Sequence, residues 1–343
     1  MLDTLKLYTE EFTIKDSAKL MLQPGQMNYE SGDIRESNLF KRESGQPVLG
    51  ASAFIKDDPR YHLQIMPKGG SVLAFVQCSI PKVARGENFY PATEVESSKA
   101  LECINDALWE RGVHLDLKSA KVSRVDLFTN AYCSEPFSTY RPLFELLRCK
   151  RQQRRDYGST YLYSNTQRVL CIYDKQVEMI NRGAKVAGLP KAMRFELRYL
   201  NAQVAKKELG FSRAGELVSS LDHVREVYNK ELLKSFFKFV PGEVEVLAAS
   251  QLETEMMHYQ ANYGRNWLET YQKALGARSL LEFGEEIVKA NIEKRAGYRM
   301  AAWRMMKRIN DAHLELAMLR NESGQVKTLR ELYSELRQLV LEL

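Results

Sequence analysis

The chain has 343 residues, 44% of them hydrophobic and 27% charged, which suits a soluble protein large enough for a real core. No apolar run approaches the roughly 18 to 20 residues that a bilayer span needs, and MLDTLKLYTEEFTIKD is broken by charge too often for a secretory leader. Cys78, Cys103, Cys133, Cys149 and Cys171 are odd in number and form no CxxC pair, so reduced thiols in a cytoplasm are expected, without a disulfide frame or zinc knuckle.

The net charge of +6 is mild, but its distribution is uneven. Residues 121–215 hold 18 Lys+Arg against 8 Asp+Glu, a local excess of +10 that leaves −4 for the remainder. Positive charge gathered in the middle third is what a phosphate backbone attracts, although an uneven solvated surface would look the same.

Short β-rich runs recur in the first part: Lys6–Tyr8, His62–Met66, Val72–Ser79 and Val122–Asn130. A helix is expected over Glu94–Arg111, where Leu101, Ile104 and Leu108 fall three and four apart and Gly112 can close the end. Residues 20–50, rich in Gly, Ser, Asn and Asp, read as a long loop or hairpin. A helix near Ser138–Lys150 precedes the basic run RCKRQQRRD. Strands Thr160–Ser164 and Arg168–Tyr173 follow, then a helix from Lys175 to Arg182, the loop RGAKVAGLPK, and a strand at Met193–Leu200. The irregular order of strands and helices predicts an α+β fold with an antiparallel sheet over 1–215. Residues 216–343 read as a helical domain, ending in a stripe of Leu329, Leu332, Tyr333, Leu336, Leu339, Val340 and Leu343.

Three short segments could carry chemistry. In SRVDL, Arg124 and Asp126 lie two apart on a strand and therefore on one face, with Val125 and Leu127 on the other. In MRFELR, Arg194, Glu196 and Arg198 repeat that pattern against Phe195 and Leu197. Either could be an ordinary arginine–carboxylate pair. Two such strands could also bring Asp126 and Glu196 together, where a cation would relieve their repulsion; oxygen ligands of this kind suit Mg²⁺ or Mn²⁺. In IYDKQVE, Tyr173 closes a strand, Lys175 follows, and Glu178 falls in the first turn of a helix. A tyrosine that attacks a phosphodiester needs help in losing its proton and a polarised phosphate, and a lysine can stabilise the developing charge. Tyr157, Tyr161 and Tyr163 are competing candidates. The five histidines are scattered with no H-x-H pair, which disfavours a histidine-based nicking site or zinc hydrolase, and no GxxxxGK[ST] loop occurs.

In this order, VSRVDLFTNA (Val122–Ala131), QRVLCIYDKQVEM (Gln167–Met179) and MRFELRYLNAQVAKKELG (Met193–Gly210) resemble the gene II/X replication proteins of filamentous phages. FVQCSIPKVARGENFYP (Phe75–Pro91) and the N-terminal MLDTLKL fit the same pattern. The resemblance implies a rolling-circle initiator that nicks one strand of a supercoiled origin, stays joined to the 5′ phosphate through a tyrosine, and later religates the strand. It implies Tyr173 as nucleophile with Lys175, and Asp126, Glu196 and Glu178 as ligands of Mg²⁺ or Mn²⁺. Arg124 and Arg194 would meet phosphate. Arg148, Lys150, Arg151, Arg154 and Arg155 could track the DNA backbone, with Tyr157, Tyr161 and Tyr163 stacking on unpaired bases. Origin DNA, single strand, a host helicase and a polymerase are the implied partners, in a bacterial cytoplasm and without a membrane. In the helical part, Arg295, Arg299, Arg304, Lys307 and Arg308 surround Met300, Trp303 and Met306, as either a duplex-reading or a packed helix. The terminal leucine stripe could be core or a homodimer seam. The rival class is a non-catalytic DNA-binding regulator, which would have no need of Tyr173, Asp126 and Glu196 together.

Overall fold

The computed structural model describes residues 1–15, 53–55, 58–68, 71–183, 191–267, 285–296, 300–301, 303–307 and 327–341. The expected loop at 20–50, most of the loop after Arg182, and Arg299, Arg308 and Leu343 lie outside the described residues.

The strands are β1 (Leu2–Thr9), β2 (Phe12–Ile14), β3 (Ala53–Ile55), β4 (Tyr61–Lys68), β5 (Ser71–Ser79), β6 (Val113–Leu115), β7 (Lys121–Ala131), β8 (Gln153–Asp156), β9 (Thr160–Ser164), β10 (Arg168–Asp174) and β11 (Met193–Tyr199). The helices that bear on the argument are α1 (Ile80–Arg85), α2 (Glu94–Glu110), α3 (Phe137–Leu146), α4 (Lys175–Asn181), α5 (Ala202–Leu209), α6 (Ala214–Val218), α7 (Leu221–Ser235), α8 (Pro241–Tyr263), α9 (Glu285–Ala296) and α10 (Leu329–Leu341). The fold is α+β, with helices filling the C-terminal part. A nine-stranded sheet runs in the order β3-β4-β5-β1-β7-β11-β10-β9-β8, and β2 and β6 form a separate ribbon. The pairs β3–β4, β4–β5, β5–β1, β1–β7, β11–β10, β10–β9 and β9–β8 are all antiparallel.

Period-two alternation gives the sheet one apolar and one polar face. Leu5 and Leu7 of β1, Val125 and Leu127 of β7, Phe195 and Leu197 of β11 and Tyr161 and Tyr163 of β9 are buried on the apolar side. Helix α7 covers part of that side, where the buried Tyr228 hydroxyl donates to the Phe195 carbonyl at 2.9 Å. Helix α2 is fixed by a capping box between Thr93 and Glu96 and buries Ala100, Leu101, Ile104 and Leu108 on one stripe. Leu2/Thr4 and Lys6/Leu7 mark register shifts between β1 and β7, so the apolar side stays continuous while the local pairing slips.

The chain divides into two compact units: Met1–Asn130 with Arg151–Glu231, and Ala131–Lys150 with Leu232–Leu343. A single boundary near 215 does not follow this division, because residues 131–150 leave the first unit for the second and the chain then returns. In the second unit, Leu329, Leu332, Tyr333, Leu336 and Val340 of α10 are buried, and Tyr333 donates to the Phe239 carbonyl at 2.7 Å. These five positions of the leucine stripe are thus core of this unit.

Two expectations need correction, and the basic run gains a structure. Helix α3 stops at Leu146 instead of reaching Lys150. Part of the basic run forms the edge strand β8, paired to β9 from Gln153↔Ser164 to Asp156↔Tyr161. Tyr161 and Tyr163 are fully buried on the apolar face, so neither is a stacking platform; Tyr157 is exposed. Leu5→Ala, which truncates a fully buried side chain on the apolar face, is expected to cost about 2–5 kcal/mol in denaturant unfolding.

Candidate active site

Strands β1, β7, β10 and β11 and helix α4 contribute Asp3, Asp126, Cys171, Tyr173, Glu196 and Glu178 to the lining of one cavity of about 740 Å³. Register explains the convergence. Glu196 of β11 faces Cys171 of β10, and Tyr173 faces Arg194, so these residues share a side of the sheet. Across the next strands, Asp126 of β7 pairs with Thr4 of β1, and Thr4 with Ser79 of β5. Strand β7 lies between β1 and β11, and Asp126 and Glu196 line the same cavity, where the charge of Glu196 acts on Asp126.

Each carboxylate is bracketed by a cation two residues away on its own strand. Arg124 reaches Asp126 with two hydrogen bonds of 2.8 and 2.7 Å, and Arg198 donates to Glu196 Oε1 at 2.7 Å. The phenol of Tyr173 donates to Glu196 Oε2 at 3.1 Å. Burial, then the charge of Glu196, pushes the Tyr173 hydroxyl well above the ordinary phenol range. Burial raises Asp126 as well; Arg124 opposes the shift and Glu196 adds to it.

The turn that delivers Tyr173 has a local cause. Asp174 ends β10 and caps α4, its carboxylate accepting from Val177 N at 3.0 Å. Tyr173 therefore stays on the strand's polar face while Lys175 becomes the first helical residue. Lys175 is fully buried and does not line the cavity; its ammonium donates to Asn88 Oδ1 at 2.9 Å and to Glu178 Oε2 at 2.6 Å. Glu178 also pairs with Arg182 at 2.5 Å. Burial and the nearby Arg194 lower the Lys175 ammonium.

Arg194, expected at phosphate, is enclosed instead. It has no exposed surface, donates to Asn130 Oδ1 at 2.9 Å and to the carbonyls of Asn88 and Phe89, and lies 3.9 Å over the Phe128 ring. Such contacts clamp the loop before α2 onto the sheet, and no guanidinium edge is left for DNA. Of the basic run, Arg155 pairs with Leu162, which pairs with Cys171, so Arg155 stands on the cavity's side of the sheet. Arg154 faces the apolar side opposite Tyr163, and Arg151 is exposed with a left-handed φ of 60°. Arg148 and Lys150 belong to the second unit.

Sequence reading missed Asp3 and Asn88. Asp3 is buried at the cavity wall, accepts from Ser79 Oγ at 3.4 Å, and has its carboxyl raised by burial and then by Glu196. It sits within the register shift at Leu2/Thr4, so simple alternation could not have placed it. Asn88 lies in a loop, where no periodicity exists to read.

Among the described residues, no three His, Cys, Asp or Glu side chains gather closely enough to cage a metal ion. Asp126 and Glu196 nevertheless supply hard oxygen donors, burial and then the charge of Glu196 disfavour the ionised form of Asp126, and Mg²⁺ is often held by one or two carboxylates with water and substrate oxygens completing the shell. The donor chemistry fits a divalent cation.

The family model for the N-terminal region of the phage replication-associated gene II protein matches residues 60–235, just over half of the chain. This chain belongs to that family, the filamentous-phage gene II type of replication initiator. The gene II match covers β4 through α7 and so includes Asp126, Tyr173 and Glu196. No curated protein and no solved structure matches the chain. Among the described residues, no helix is long and apolar enough to cross a membrane.

The buried Asp3 yields a pH prediction. A raised folded-state value means that the folded form holds the proton more tightly than the unfolded one, so stability falls as pH rises from about 4 upward and the cost persists at neutral pH. Asp3→Asn, unfolded by urea without divalent cations, is expected to match the parent near pH 4 and exceed it at pH 7. Parallel curves for the two proteins would remove the assigned cost.

Proposed function

We propose that the chain is a rolling-circle initiator that cuts one DNA strand at its origin with Tyr173, holds the 5′ phosphate on that residue and later rejoins the strand. The observation that carries this reading is the hydrogen bond from Tyr173 to Glu196, on the polar face that also holds Asp126. With the phenol neutral, the proton passes to Glu196 Oε2 as the phenol oxygen bonds to phosphorus and the bond from phosphorus to the 3′ oxygen breaks. The departing oxygen takes up a proton from solvent and leaves a 3′ hydroxyl. Rejoining is the same step in reverse: the 3′ hydroxyl attacks the phosphotyrosine, and the phenol recovers its proton.

Asp126 and Glu196 would hold Mg²⁺ or Mn²⁺, which when bound supplies charge to the scissile phosphate and lowers the barrier to attack. Arg124 and Arg198 orient the two carboxylates and neutralise them in the absence of the cation. Glu178, one of the residues the resemblance offers as a ligand, is held by Lys175 and Arg182, and in this reading it supports the wall of the cavity. Lys175 acts with it as a positioning residue, because its ammonium is turned to Asn88 and Glu178. Arg155 and Arg151 are the members of the basic run best placed to meet the DNA backbone in the first unit. A host helicase and polymerase in the bacterial cytoplasm would extend the exposed 3′ end.

Supercoiled origin DNA with Mg²⁺ or Mn²⁺ provides the test. Tyr173→Phe is expected to lower the cutting rate by at least about 10³-fold, and Asp126→Asn and Glu196→Gln to abolish the cutting that the cation supports. Binding of the origin without cutting by the parent protein would instead identify a non-catalytic regulator.

A further inference from the structure

Beside the catalytic row, the same polar face continues across β4, β5, β1 and β7, and apart from Arg124, which holds Asp126, its residues have no part in the proposed chemistry. Register defines two further rows. His62 pairs with Gln77, Gln77 with Lys6 and Lys6 with Arg124. One step further along β1, Tyr8 pairs with Phe75 on one side and with Lys121 on the other. Because Thr4, Lys6 and Tyr8 alternate with the buried Leu5 and Leu7, all three point to the side on which Thr4 meets Asp126.

The chemistry of these rows is cationic and aromatic. Lys121 Nζ lies 5.9 Å from the Tyr8 ring centroid, and Lys6 Nζ 5.8 Å from that of Phe75. Among the described residues, neither lysine has a carboxylate partner. The outward positions of these four strands between the catalytic row and Tyr8 contain no carboxylate at all. Tyr8 and Gln77 are half-buried and Lys121 is exposed. Lysines without acidic partners beside a half-buried ring on the polar face match an unpaired nucleic-acid strand, which offers phosphates to the cations and a base face to the aromatic ring. The distance along β1 from Thr4 to Tyr8 is about 13 Å at the usual rise per residue, so a strand lying over Tyr8 continues directly onto Asp126.

We propose that Tyr8, Lys6, Gln77 and Lys121 form the track that holds the single DNA strand next to the cut, with a base stacked on Tyr8. This assignment rests on the strand-cutting reading above and names where its substrate lies. It gives the β1–β5 face a binding role that is separate from the exchange of bonds at Tyr173.

The test is fluorescence anisotropy of the full chain with a labelled single-stranded DNA of mixed sequence, titrated at several salt concentrations. Tyr8→Ala is expected to weaken binding between about 5-fold and about 100-fold, and Tyr8→Phe to restore it. Lys6→Gln combined with Lys121→Gln is expected to reduce the slope of log affinity against log salt by about 0.7 for each lost phosphate contact. Bromodeoxyuridine placed in the same DNA should crosslink the unaltered protein at β1 or β5 peptides. Unchanged affinity and slope, equal losses for Tyr8→Ala and Tyr8→Phe, or crosslinks confined to other peptides would overturn the track. The two readings separate cleanly: Tyr8-dependent binding without an adduct on Tyr173 sinks the cutting reading alone, whereas an adduct with Tyr8-independent binding sinks the track alone.

Discussion

Asp126 and Glu196 are taken out of water next to one another, and every other feature of the site answers that cost. A buried carboxylate must be neutralised by a proton, a cation or a set of donors, and here each is bracketed by an arginine two residues along its own strand. The spacing is dictated by the pleat: only positions two apart share a face. Tyr173 adds a donor to the second oxygen of Glu196, so the phenol is held by the same electrostatic demand that holds the arginines. Burial and the charges around Tyr173 favour its neutral form, so in the proposed reaction its proton leaves for Glu196 only as the bond to phosphorus forms.

Rigidity behind the cavity comes from a second set of polar groups, of which Arg194 and Lys175 have no exposed surface. Arg194 stacks on Phe128 and ties Asn130 to the loop that carries Asn88 and Phe89, and Asn130 in turn donates to the Phe89 carbonyl at 2.5 Å. The same loop presents Asn88 to Lys175. Arg194 and Lys175 therefore shape the wall against which Tyr173 and Glu178 stand. A guanidinium in such a position is replaced poorly by lysine, because planar stacking and the spread of its donors are both used.

The strands that build the polar face were legible because alternation survives in VSRVDLF, VLCIYD and MRFELRY, and the like patterns on two strands pointed to the single cavity that Asp126 and Glu196 line. Helix α2 was legible from its three-four stripe. What escaped has physical reasons. IPKVAR forms six residues of helix led by a proline, too short to display a period. FTI and VHL are three-residue strands with almost no alternation to see. Residues 131–150 join a unit completed much later in the chain, which is a tertiary fact with no local signature. Arg194 and Arg124 look alike in sequence, each beside a carboxylate on a strand, yet one is enclosed by a loop and the other reaches the cavity. Only the packing of residues more than a hundred positions away separates them.

The central claim is that the oxygen bonded to Glu196 is the one that takes the phosphate. Trapping the cut complex with excess origin DNA, digesting protein and nucleic acid, and sequencing the modified peptide by mass spectrometry reads that atom directly. The account predicts a nucleotide phosphodiester on Tyr173, within the peptide that spans VLCIYDK. A nucleotide on Tyr157, or on any tyrosine outside β10, would contradict it.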